Sequence, residues 1–122
     1  MKSSPRISEA EWLVMKVVWK KSPCSAQQII DALSSSTDWS ATTIKTLINR
    51  LLRKGVLDFE KQGKAYLYSP VRTEEECRGN EAQSFLDRVF DGALSPMLAH
   101  FVRSRRLSPK ELQELERILK GK

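Results

Sequence analysis

Residues 40–55 read SATTIKTLINRLLRKG and residues 56–69 read VLDFEKQGKAYLYS; together this stretch decides the fold. Ser40 stands where a helix N-cap belongs, because its hydroxyl can accept from an orphan amide of the first turn. Beyond it Ile44, Leu47, Ile48 and Leu51 fall at i, i+3, i+4 and i+7, which places four apolar side chains on one narrow helix face. Lys54-Gly55 closes the helix, with Gly55 as a left-handed C-cap. The period then changes. Residues 56–60 and 65–69 alternate as strands, Lys61-Gln62-Gly63-Lys64 reads as the hairpin tip, and Pro70 ends the second strand.

Towards the N-terminus, Ser8-Glu9-Ala10-Glu11 is a capping box. Trp12, Met15, Val18 and Trp19, with Leu13 and Val17 beside them, give a wide apolar helix face that ends near Lys20-Lys21, before Ser22-Pro23. Ser25 and Gln28 form a second box, ahead of Ala26, Ile29, Ile30 and Leu33; residues 34–38 form a serine-rich loop. Towards the C-terminus, a box from Thr73 to Glu76 opens a helix to about Phe90 with Cys77, Phe85, Leu86, Val89 and Phe90 apolar, and Gly92 stops it. Leu94, Met97, Leu98, Phe101 and Val102 make a short helix with Pro96 in its first turn, and a basic loop, Arg103-Ser104-Arg105-Arg106, follows. Ser108-Pro109-Lys110-Glu111 is another box, after which Leu112, Leu115, Ile118 and Leu119 share a face. The predicted class is mostly α with a small β wing: a winged helix-turn-helix over residues 1–72 and a helical dimerisation arm over 73–122.

Charge separates the same two regions. Of 21 Lys/Arg and 15 Asp/Glu, residues 1–72 hold twelve bases and six acids, whereas residues 73–122 hold nine of each. The whole excess of +6 therefore lies in the first region, which suits a polyanionic partner. No acid lies between Asp38 and Asp58. In this fold the third helix enters a major groove, where Thr, Asn, Lys and Arg can touch base edges and cations grip phosphates. The pattern assigns base contact to Thr42, Lys45 and Thr46, with Asn49 on the same polar surface, and backbone contact to Arg50 and Arg53. Thr43 supports the helix start or touches phosphate, and Lys61 and Lys64 set the wing against a phosphate strand. Trp12, Trp19 and Trp39 are expected to pack the small domain, and Tyr66 and Tyr68 to pack the wing. The partner expected is double-stranded operator DNA.

The neutral C-terminal region has amphipathic helices but too few residues for a stable core of its own. Phe85, Leu86, Val89, Leu98, Phe101, Leu112, Leu115 and Leu119 are the expected dimerisation face, and the expected assembly is a homodimer with two reading helices one DNA turn, or a multiple of it, apart. Other classes fit less well. His100 is the lone histidine and has no nucleophile or acid to work with, so the chain does not read as an enzyme. Cys24 and Cys77 lack CxxC spacing, so neither metal nor cofactor is expected, and they read as packing or surface residues rather than a disulfide. No apolar run is long enough for membrane insertion, and Lys2 and Arg6 precede no h-region, so a cytoplasmic location is expected. The rival reading is a winged helix used as a protein-binding module without operator specificity.

The motifs also resemble a family. Ser8-x-x-Glu11-Trp12-x-x-Met15-x-x-Val18-Trp19 and Trp39-Ser40-x-x-Thr43-Ile44-x-Thr46-Leu47-x-x-Arg50-Leu51-x-x-Lys54-Gly55 are similar to the opening and recognition helices of the penicillinase-repressor (BlaI/MecI) family. Phe85, the Gly92 break, Phe101-Val102 and Leu107-Ser108-x-x-Glu111-Leu112 follow its C-terminal pattern. The resemblance implies a homodimeric repressor on a two-fold-symmetric operator. It also implies a membrane sensor-protease whose response to β-lactam ends in cleavage of the arm before a phenylalanine. The corresponding bond here is His100-Phe101, with histidine where the family usually has asparagine. Thr42 stands where β-lactamase repressors often carry lysine, so the operator sequence does not carry over. The cysteine-rich tail of a copper-responsive branch has no counterpart in Leu119-Lys120-Gly121-Lys122.

Overall fold

The computed structural model describes residues 6–121; Lys2 and most of the stretch read for a signal sequence lie outside them. The order is α1 (Glu9–Lys21), α2 (Ala26–Ser34), α3 (Ala41–Lys54), β1 (Leu57–Gln62), β2 (Ala65–Pro70), α4 (Glu74–Phe90), α5 (Leu94–Arg103) and α6 (Pro109–Gly121). The chain forms two compact units, Met1–Asn80 and Glu81–Lys122.

Local chemistry starts each helix of the first unit. Ser8 and Ser25 make full capping boxes with Glu11 and Gln28, and Thr73 does the same with Glu76 ahead of α4. Ser40 Oγ accepts from Thr43 N at 3.1 Å, and Gly55 ends α3 at φ +77°. Three helices then converge on one core: Val14, Met15 and Val18 from α1, Ile29 and Leu33 from α2, and Ile44, Leu47, Ile48 and Leu51 from α3. Ile7, Cys24, Val56, Leu57, Tyr68 and Cys77 complete it. Each fully buried aliphatic side chain there contributes about 1.5–3 kcal/mol relative to exposure. This holds the rotation of α3 about its own axis.

On α1 the buried stripe is Glu11, Val14, Met15 and Val18. Trp12 and Trp19 sit at its edge, partly buried against the core with ring centroids 5.4 Å apart. The predicted face, Trp12, Met15, Val18 and Trp19 with Leu13 and Val17, includes Met15 and Val18 of this stripe and omits Val14. Trp19 is held by its indole N–H, which donates to the carbonyl of Arg72 at 3.0 Å. Cys24 and Cys77 are both free and buried. Burial pushes both thiols up, against the opposing charges of Lys21 and Arg72 respectively, so they stay protonated and pack as small apolar groups.

The wing differs from its predicted outline. The antiparallel ladder runs from Leu57↔Pro70 to Gln62↔Ala65, leaving a two-residue turn at Gly63-Lys64. Gly63 carries φ +62°, while Lys64 is not among the described residues of positive φ, as a type II′ turn requires. That turn matches the strand twist and lets pairing continue two residues beyond the predicted strand end. Lys61 therefore lies in β1 opposite Tyr66, not in the tip. Cys24 adds a bridge to β2, giving and taking backbone hydrogen bonds with Tyr68 at 3.1 and 2.7 Å.

The second unit has a different character. A box between Ser108 and Glu111 caps α6, Gly92 turns the chain at φ +81°, and Phe90 stacks edgewise on Phe85. Yet neither α5 nor α6 has a buried residue. Val89, Leu94, Val102, Ile118 and Leu119 are all exposed.

Candidate nucleic-acid interface

Because Ile44, Leu47, Ile48 and Leu51 face inward, helix geometry turns Thr42, Thr46, Asn49 and Arg53 directly outward. Lys45 lies on one flank and Thr43, Arg50 and Lys54 on the other. Thr42, Thr43, Lys45, Thr46, Asn49, Arg50 and Arg53 are all exposed, as are Lys61 and Lys64 on the wing. Nothing in the described part of the first unit covers this surface, and α3 contributes no carboxylate to it.

Two hydroxyls of this helix are already engaged. Ser40 Oγ donates to Thr43 Oγ1 at 3.1 Å, so Thr43 belongs to the helix start. Thr46 Oγ1 donates to the Thr42 carbonyl at 3.0 Å. Its proton is thus satisfied within the helix, and the side chain presents a methyl group and an oxygen lone pair outward. This combination can meet a thymine methyl or a base-edge donor.

The fourth cation of the helix, Lys54, does something else. Its Nζ donates to Glu11 Oε1 at 2.5 Å and to the Arg6 carbonyl at 2.7 Å. Glu11 is only 1% exposed and also accepts from Ser8 N at 2.9 Å. Burial by itself raises the Glu11 carboxyl, but the hydrogen bonds from Lys54 and Ser8 and the Lys54 charge outweigh it, and the net value is lowered. The sequence pattern marks Glu11 only as a capping residue and Lys54 only as part of the helix end. The pair joins residues 43 positions apart, and local spacing carries no signal of it.

On the wing, Phe59, Lys61, Tyr66 and Tyr68 share one face. Tyr68 is buried, as expected, but Tyr66 is 47% exposed and packs edge-on against an equally exposed Phe59, centroids 5.0 Å apart. Among the described residues no group of three or more His, Cys, Asp or Glu is placed to hold a metal ion. No helix there is long and apolar enough to cross a membrane.

Three helices, a two-stranded wing and an open cationic third helix define a winged helix-turn-helix domain of the DNA-binding kind. Residues 7–121 match the model of the penicillinase repressor family, and the chain belongs to that family. It is 40% identical to the penicillinase repressor of Bacillus licheniformis over 98% of this chain and 93% of that one. It is 37% identical to the methicillin resistance regulatory protein MecI of Staphylococcus aureus over 95% and 94%. Among solved structures it is similar to the DNA-binding domain of the repressor BlaI (TM-score 0.55, 42% identity), over 62% of this chain and 93% of that one. The monomeric form of Bacillus licheniformis BlaI bound to the blaP half-operator matches with the same figures.

Proposed function

We propose that the protein is a transcriptional repressor that binds a two-fold-symmetric operator as a homodimer, with α3 in the major groove. The observation that carries this is the carboxylate-free, exposed outer surface of α3, fixed in orientation by its buried stripe. Thr42, Lys45, Thr46 and Asn49 face base edges; Arg50, Arg53, Lys61 and Lys64 grip phosphates. The placement of Lys61 within β1 keeps it on the wing face beside Tyr66, one ladder step from the turn that carries Lys64. The relative solved on a half-operator supports a reading in which one domain engages one half-site.

Dimerisation through Phe85, Leu86, Val89, Leu98, Phe101, Leu112, Leu115 and Leu119 is supported by their incomplete burial: Phe85, Val89 and Leu119 are exposed, the other five are half-buried, and neither α5 nor α6 has a buried residue in a single chain. Relief of repression follows from cutting the arm. The His100-Phe101 bond lies inside α5, and a protease needs that helix opened into an extended strand. Within a single chain α5 has no buried residue, so it opens at low cost where the two arms part. The agent in this reading is a membrane sensor-protease responding to a β-lactam or similar signal.

The test uses a duplex selected from a random pool by the protein itself. Lys45→Ala lowers affinity for that duplex by roughly 1–3 kcal/mol per half-site and leaves random DNA nearly unaffected. Equal losses on both would make Lys45 a phosphate contact. With four cations per protomer on phosphates, log affinity falls with log salt at a slope of roughly −7 for the dimer. A flat salt response would favour a protein-binding module.

A further inference from the structure

The Lys54 ammonium is shared between the Glu11 carboxylate and the backbone carbonyl of Arg6. Lys54 follows Arg50 by one helical turn, so the two side chains lie on one flank of α3. The Arg6 backbone is therefore fastened beside the flank that carries Arg50. Ile7, the next residue, is buried in the core and Ser8 caps α1, so the chain at Arg6 is held by its own carbonyl and by the two residues that follow it. The Arg6 side chain itself is exposed. Lysine at position 54 thus spends its charge internally and brings another cation to the surface it would have served.

We infer that Arg6 is a further phosphate-contacting residue, continuing the backbone grip of Arg50 beyond the C-terminal end of α3. Lys54 is the positioning residue that keeps it there and does not touch the duplex. The inference rests on the DNA-binding reading above and adds one cation per protomer to it. Such a contact carries no sequence information: it acts equally on every duplex and shows itself through counterion release.

The experiment is a salt titration of the full chain on its selected duplex and on random DNA. Arg6→Ala weakens binding to both by the same factor, about fivefold per half-site, the upper end for an exposed ion pair. It reduces the salt slope of the dimer by roughly 2, and Arg6→Lys restores the slope. Lys54→Met, assayed well below its melting range, loses the same part of the slope, which lost stability alone would not remove. A wild-type protein with a steep slope that Arg6→Ala leaves unchanged overturns this inference alone. A wild-type protein without salt dependence overturns the DNA-binding reading and this inference with it. An unchanged slope in Lys54→Met removes the positioning role.

Discussion

The double variant Val89→Glu/Leu119→Glu is expected to be a monomer that binds a full two-fold site about 100- to 10,000-fold more weakly than the wild type while binding a half-site as well. These side chains are 52% and 72% exposed, so changing them removes little packing from the single chain. In the proposed dimer each meets the partner's apolar face, and two carboxylates per protomer introduced there are desolvated without partners. The large loss comes from linkage, since a tethered second domain binds its half-site at an effective concentration far above that of a free protomer. Sedimentation and titration on full and half sites check this, with circular dichroism confirming that the helices persist. A variant that remains dimeric, or that keeps full-site affinity as a monomer, would place the dimer interface elsewhere or remove the need for one.

The second large effect is on stability. Lys54→Met leaves the Glu11 carboxylate buried without its cation and is expected to cost about 3 kcal/mol, the low end for breaking a buried pair. The low end applies because the Lys54 side chain is 34% exposed, so solvent already screens part of the attraction. For a domain of this size the melting temperature falls by roughly 12–24 °C. The pH dependence changes sign as well. In the wild type the Glu11 carboxyl is lowered by folding, so its contribution is complete above the unfolded carboxyl value and is lost as pH falls through the lowered folded value. In Lys54→Met burial, the largest single influence, is opposed only by the Ser8 hydrogen bonds and is expected to raise the carboxyl. The variant then loses stability as pH rises through the unfolded value towards the raised folded one. Thermal melts from pH 3 to 7 distinguish the two profiles. Glu11→Gln added to Lys54→Met should return much of the loss, since an amide costs far less to bury than a carboxylate. A variant as stable as the wild type at neutral pH would mean the pair contributes nothing.

The elements most legible in the sequence are those fixed by local chemistry. The side chains of Ser8, Ser25, Ser40, Thr73 and Ser108 each accept from an amide three residues on, and a three-residue pattern is visible in a string. The stripe of Ile44, Leu47, Ile48 and Leu51 was equally readable, and it determined the exposed residues of α3 by subtraction. What was hidden depends on three-dimensional partners. The face of α1 was displaced because tryptophan looks like core but is too large to bury fully beside Val14 and Val18. The wing was drawn with a four-residue tip because composition gives a turn region, whereas the φ of Gly63 sets the register. Tyr66 is half exposed because it lies one pair from the turn, beyond the point where Cys24 bridges Tyr68 to the core. Arg6 stood out in no periodicity; only the long reach of Lys54 placed it beside the candidate interface.

The most direct test of the account is a backbone amide spectrum of the isotope-labelled protein with and without its selected duplex. Shifts are predicted to concentrate along residues 41–53, at the Gly63-Lys64 turn and at Arg6, with the buried stripe of α3 moving far less. Shifts gathered on the exposed side of α1 instead, with Thr42, Lys45, Thr46 and Arg50 unmoved at saturation, would contradict it.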